Sequence, residues 1–218
     1  MNLESYGQYI ADHIRDWPVG EPVTNADVAG VLAGAFGMSV DNAKKVTNVN
    51  MKRLADKGEL IRVQKGVYGK VKTTPFGKLP PRAGEITAGL LLREGNTAIG
   101  FITGPTLLNT VGLCTWIPKE CHITTNHYRR RLPTGASIRV HKPVVPINDN
   151  NALYLQALEL FIATERYPID AENPDEILRA VLQRNHINNE KLILYARRYF
   201  SHTVLLKAID ISLGGLGL

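Results

Sequence analysis

GELIRVQKGVYGKV, residues 58–71, decides how the first third of this chain is read. Leu60, Ile61, Val63, Val67 and Tyr68 are strand formers, and Gln64-Lys65-Gly66 between them has the chemistry of a turn, so the stretch predicts a β-hairpin. Gly58 is suited to end a helix in front of it. That helix is SVDNAKKVTNVNMKRLADK, residues 39–57, with Ser39 as its N-cap. Val40, Ala43, Thr47, Asn50, Met51 and Leu54 recur at steps of three and four and predict its buried stripe. Further back, Thr24 and Asn25 offer capping oxygens to a short helix over 26–35. Leu3, Tyr6, Tyr9, Ile10, Ile14 and Trp17 mark an amphipathic helix that Pro18 and Gly20 stop. Three helices and then a hairpin is the order of a winged helix-turn-helix, expected over residues 1–72.

Forward of the hairpin, TTPFGKLPPRAG at 73–84 holds three prolines and two glycines and reads as a linker. A second domain is expected over 85–218. Helical spacing at 85–93 leads to a strand at 98–103, and Gly104-Pro105 opens a short helix toward Val111. Strands are expected at 121–125 and 137–141. From Asn151 the pattern is helical, with one face in Tyr154, Leu155, Leu158, Phe161 and Ile162, a second in Ile177, Val181 and Leu182, and a third in Leu192, Tyr195, Ala196 and Tyr199. The fold class is therefore α+β: a winged helix-turn-helix, a mixed α/β region and a helical C-terminal part.

With 218 residues, 44% apolar and 21% charged, the chain has the composition of a folded globular protein. Its start carries Glu4, Asp12 and Asp16 and no apolar core of a signal peptide. No run of apolar residues approaches the ~20 that span a bilayer, so a cytoplasmic protein is expected. Cys114 and Cys121 lie seven apart without a second pair, which fits neither a zinc ribbon nor a disulfide framework.

The net charge of +6 is unevenly placed. Residues 1–39 hold Arg15 against Glu4, Asp12, Asp16, Glu21 and Asp27, a balance of −4. Residues 40–72 hold seven lysines and two arginines against Asp41, Asp56 and Glu59, a balance of +6. On the helix over 40–57, Asn42, Lys44, Lys45, Asn48 and Lys52 oppose the apolar stripe, with Arg53 at its margin. Lysine and arginine neutralise phosphates and release counterions, and asparagine pairs with an adenine edge in the major groove. These residues, with Gln64 and Lys65 at the hairpin turn, are the candidate contacts to double-stranded DNA. The competing reading is a solvated helix face on a winged helix that docks a protein instead.

A second basic cluster, Arg129, Arg130, Arg131 and Arg139 with Lys119 and Lys142, faces only Glu120 in sequence and could extend the DNA footprint, bind RNA or meet an acidic partner, or be a solvated loop. The six histidines form no HExxH and no Cys/His ligand set, so no metal site and no cofactor is expected. Cys121 and His122 lack an acid at a diagnostic spacing, and the glycines of GNTAIGFITGP form no phosphate cradle. No catalytic residue is assigned, and an enzyme is not expected. Asp170, Glu172, Asp175 and Glu176 cluster at a helix start, where negative charge is favourable.

Two stretches carry a resemblance. RLADKGELIRVQKGVYGKV, residues 53–71, resembles the helix end and wing of the AbiEi-like antitoxins and transcriptional regulators of type IV abortive-infection toxin–antitoxin systems. GPTLLNTVGLCTWIPKECHITTN, residues 104–126, continuing through RRRL and SIRVHKP, resembles that family's linking region. The resemblance implies an N-terminal domain that represses its own operon at inverted repeats. It also implies a C-terminal domain that counters a nucleotidyltransferase-like toxin. For the wing it carries over to Gln64, Lys65, Gly66 and Tyr68. No heptad seam supplies a dimer, so a monomer, or a pair of copies meeting on DNA, is expected.

Overall fold

The computed structural model describes residues 3–129, 131–132 and 137–214, and it is an α+β protein of helices and several small sheets. The described residues divide into two compact units, the first covering 3–90 together with Leu132 and the second covering 91–129, Arg131 and 137–214.

In the first unit, α1 (Leu3–Asp16) buries Ile10 and Ile14, while Tyr6 and Tyr9 both meet Phe36 edge-on at 4.8 and 5.2 Å. Strand β1 (Pro22–Thr24) leads directly into α2 (Asn25–Phe36). Thr24 caps that helix by accepting from the Asp27 amide at 3.0 Å and donating its hydroxyl to the Asp27 carboxylate at 2.6 Å. Gly37, at φ +61°, closes α2 in the left-handed region.

Helix α3 (Val40–Asp56) follows, with Ser39 accepting from the Asn42 amide at 3.4 Å. Ala43, Thr47, Asn50, Met51 and Leu54 are buried as the periodicity predicts. Val40 is the exception at 54% exposed: it is the first helical residue, and the buried stripe starts one turn later. Asn50 donates to the Val46 carbonyl at 2.9 Å, and a Cβ on Gly7 would stand 3.0 Å from its Oδ1, so the glycine lets α1 lie close on α3.

The hairpin is β2 (Leu60–Gln64) and β3 (Val67–Lys70), joined at Lys65-Gly66, where Gly66 takes φ +73°. Short β1 pairs antiparallel with β3, giving the sheet order β1-β3-β2. The sequence reading had no strand at 22–24. Three residues are too few for alternation to appear, and only pairing with β3 makes them a strand.

The stretch read as a linker is folded. A second hairpin, β4 (Lys72–Thr74) and β5 (Gly77–Leu79), occupies it, and α4 (Ala83–Leu92) begins two residues earlier than the helical spacing indicated. Ile86 and Leu90 of α4 pack with Val67, and a Cβ on Gly89 would meet Pro22 at 2.5 Å. The first unit thus extends to Leu90, past the 72/85 boundary read from composition. Proline and glycine here serve a tight turn and an extended run before a helix, not a free tether.

The second unit opens with a short ribbon, β6 (Arg93–Glu94) and β7 (Thr97–Ala98), and then builds a sheet. Strand β8 (Gly100–Ile102) runs antiparallel to β9 (Cys121–Thr125), which runs parallel to β10 (Ile138–His141). Between β8 and β9 lies α5 (Gly104–Val111), with proline in its first turn and Gly112 at φ +82° closing it. Helices α6 (Ala152–Arg166), α7 (Pro174–Arg184), α8 (Asn189–Tyr199) and α9 (His202–Leu213) complete the unit. The last was not assigned from sequence, although Val204, Ala208 and Ile211 are its buried face. Phe161 and Leu158 of α6 are the fully buried centre of a core that draws on α5, α7, α8 and α9.

Candidate nucleic-acid interface

Asn42, Lys44, Lys45, Asn48, Lys52 and Arg53 are all exposed on α3, opposite its buried stripe. Lys44 reaches Asp41 only at 3.9 Å between two exposed side chains, a pairing too loose to neutralise it. Exposed Lys65 and half-buried Gln64 sit at the β2–β3 turn. The amide of Asn25 donates to the Gly66 carbonyl of that turn at 2.9 Å, and the Asn25 side chain donates to Asn48 Oδ1. The β1–β3 pairing makes this possible, because it lays the start of α2 beside the turn. The turn, the first residue of α2 and the outer face of α3 therefore meet at one place. The candidate DNA contacts read on α3 and at the hairpin turn all lie on this surface.

Two members of the surface escaped the sequence reading. In sequence Asn25 offers only a capping oxygen, and nothing in its neighbourhood signals a bond to a residue 23 positions away. Val49, 51% exposed beside Asn48, breaks the polar run of the outer face. An exposed valine there has the chemistry to meet a thymine methyl group. It was legible as a residue off the apolar stripe.

Not every cation counted in sequence is available. Lys70 donates to the carbonyls of Arg15 and Trp17, the latter at 2.9 Å, and so closes the C-terminal end of α1. Lys78 does the same for α3, donating to the carbonyls of Lys57 and Gly58 at 3.2 Å each. A cation at a helix C-terminus complements the unpaired carbonyls and the helix dipole.

The second basic cluster is less uniform. Arg139 is held by Glu120 through Nε and an Nη, both at 2.8 Å. Arg129 and Arg131 are exposed, and Arg130 lies outside the described residues. Tyr128 has the Arg129 guanidinium 5.3 Å and the Lys142 ammonium 5.7 Å from its ring centre.

Inside the second unit, His122 of β9 and His141 of β10 face each other, with His141 Nε2 3.2 Å from His122 Nδ1. His122 is 7% exposed, and the Tyr167 ring stands edge-on to it. Burial pushes both imidazoles below their usual range; the neighbouring histidine and Arg139 add to this at His122, and Arg139 and Arg166 at His141. Burial pushes half-buried Glu159 upward against the pull of the Thr103 hydroxyl and Arg166. Both thiols are raised by burial, Cys121 despite its hydrogen bond with Thr106, so neither has an activated nucleophile's environment. Among the described residues no three His, Cys, Asp or Glu side chains group to hold a metal ion, and no helix is long and apolar enough to cross a membrane.

A family model described as a family of unknown function, DUF6088, matches residues 29–189, and the chain belongs to that family. The match runs from within α2 into the start of α8 and so takes in the α3 face, both hairpins and the histidine pair. No curated protein matches the chain.

Proposed function

We propose that this member of a family of unknown function is a double-stranded DNA-binding repressor that autoregulates its own operon and serves as the antitoxin of a type IV toxin–antitoxin system. On this reading α1, α2 and α3 with the β2–β3 hairpin form a winged helix-turn-helix, with β1 as the third strand of its sheet. Helix α3 enters the major groove, and Lys65 touches the flanking phosphates. Asn42, Lys44, Lys45 and Asn48 are the principal contacts, and Lys52, Arg53 and Gln64 flank them. The observation that carries the reading is the convergence of the β2–β3 turn, Asn25 and Asn48 on one exposed, basic and asparagine-rich helix face.

The operator is expected to be an inverted repeat bound by two copies that are monomeric until they meet on DNA. The second unit would then bind a nucleotidyltransferase-like toxin in the cytoplasm, with Arg129 and Arg131 available to an acidic surface and Arg139 already paired with Glu120. Catalysis is no part of this role. The resemblance at 53–71 and 104–126 supports the antitoxin half of the proposal.

A mobility-shift titration tests it. Duplex DNA from immediately upstream of the gene is compared with scrambled DNA at two salt concentrations. Tight, salt-sensitive binding to the upstream fragment alone, lost in a K44E/K45E/K65E variant, is the expected result. Equal and feeble binding to both duplexes would overturn the proposal and favour a protein-docking winged helix.

A further inference from the structure

The β4–β5 hairpin ends in a fully exposed aromatic ring: Phe76 is 100% exposed at the turn Thr74-Pro75-Phe76-Gly77. Single exposed apolar residues are ordinary, but this one is held out on a stiff support. Pro75 fixes its own φ, and the Thr74 hydroxyl donates to the Gly77 carbonyl at 2.8 Å while accepting from the Phe76 amide at 3.3 Å. Gly77 at φ +120° permits a turn that a side chain would strain. Leu79 beside it is also exposed, so the ribbon rests little apolar surface on the unit that carries it.

Its charge indicates the occupant. From Leu60 to Gly84 the chain has no acidic residue, and besides Lys70 and Lys78, which are held at helix ends, it has Arg62, Lys65, Lys72 and Arg82, so both hairpins are cationic. The ribbon is also fixed relative to α3, because Lys78 binds the carbonyls of Lys57 and Gly58 at that helix's C-terminal end. The β2–β3 turn stands beside Asn48, nine residues earlier or about 13 Å along the helix axis. The two hairpins therefore attend different points along one helix. A duplex whose major groove holds that helix offers a minor groove on either side.

We propose that the β4–β5 hairpin is a second DNA-contacting element that sets Pro75 and Phe76 as an apolar wedge against a base step in the minor groove. The inference rests on the DNA-binding reading of α3. A minor groove about 6 Å wide excludes a two-stranded ribbon but admits its tip, and proline and phenylalanine are among the residues that unstack base steps and bend the duplex. Lys72, on the ribbon behind the tip, is placed to meet the phosphates that border the groove. Specificity would then come partly from how readily the flanking sequence bends.

The test uses the full-length protein and a duplex from upstream of its gene, labelled at both ends for energy transfer. The expected result is that F76S folds and melts as the wild type does, binds about tenfold more weakly and bends the duplex less, whereas F76W keeps both properties. The K44E/K45E/K65E variant, measured alongside, loses at least about a hundredfold in affinity. If F76S binds and bends like the wild type while the charge-reversed variant loses binding, the wedge is refuted and the α3 reading survives. If the charge-reversed variant also binds normally, the α3 reading itself is gone. If F76S leaves DNA binding intact but turns a self-associated protein into a monomer by sedimentation, Phe76 covers a second copy of the chain and the wedge is again refuted.

Discussion

The two units treat their polar side chains in opposite ways. The first turns them outward: the lysines and asparagines of α3 are exposed on one face, and Asn50, buried on the other, bonds its own helix. The second turns several inward: His122 and His141 meet within the sheet, and Thr103 donates to Glu159 at 3.1 Å beneath it. An outward set is free to meet a charged partner and contributes little to stability. An inward set is tied to folding and responds to pH. Changes in the first unit should therefore act on binding, and changes in the second on stability.

The strongest way to break this contrast is at the centre of the second core. Phe161→Ala removes a fully buried ring and is expected to destabilise the second unit by about 3–5 kcal/mol. Hydrogen exchange should show the loss in α5 to α9 while amides of α3 stay protected. Loss of protection in both units together would mean that they fold as one.

Next comes the charge-reversed K44E/K45E/K65E variant. It should lose at least about a hundredfold in affinity for the upstream duplex, roughly 2.7 kcal/mol, with an unchanged melting temperature. A large fall in melting temperature would show that the face is structural.

Gly104→Ala is intermediate. Gly104 has φ +56°, and an added Cβ would stand 2.9 Å from His122 Nδ1, so backbone strain and displacement of the histidine pair add. A loss of about 1–3 kcal/mol by denaturant titration is expected, with DNA binding intact.

The histidine pair should make stability pH-dependent with a definite sign. Both folded-state values lie below the ordinary 6.5, so the neutral pair favours the folded state above that pH, and the advantage is lost as pH falls through the lowered values. Glu159, raised by burial, acts in the opposite sense, favouring the folded state at low pH and losing that contribution as pH rises. Between about pH 7 and pH 5 the melting temperature should drop in the wild type and drop less in H122Q/H141Q. An identical slope in the two proteins would remove the pair from the explanation.

The smallest effect is expected at Ser39→Ala, which deletes a long cap bond at the start of α3. About 0.5–1 kcal/mol of stability should be lost.

Helices α1 to α3, the β2–β3 hairpin and the outer face of α3 were legible because each is a local pattern: a period, a cap or a turn residue. The hairpin at 72–79 was not, because its strands are three residues long and Pro75 and Gly77 are equally at home in a loop. Asn25 was missed at the candidate site for a related reason, since its role depends on β1 finding β3.

The sequence by itself determined where α1 to α3 begin and end, which face of α3 is apolar and where positive charge collects, since these follow from neighbours a few residues apart. Only the tertiary structure decided that Lys70 and Lys78 close helices instead of facing solvent, that Arg139 is matched by Glu120, that His122 meets His141, and that the β2–β3 turn touches Asn48 through Asn25. Each of these contacts joins residues 19 to 55 positions apart or passes through a third residue. Pairings at that distance leave no period in the chain and are fixed only when strands align and cores close.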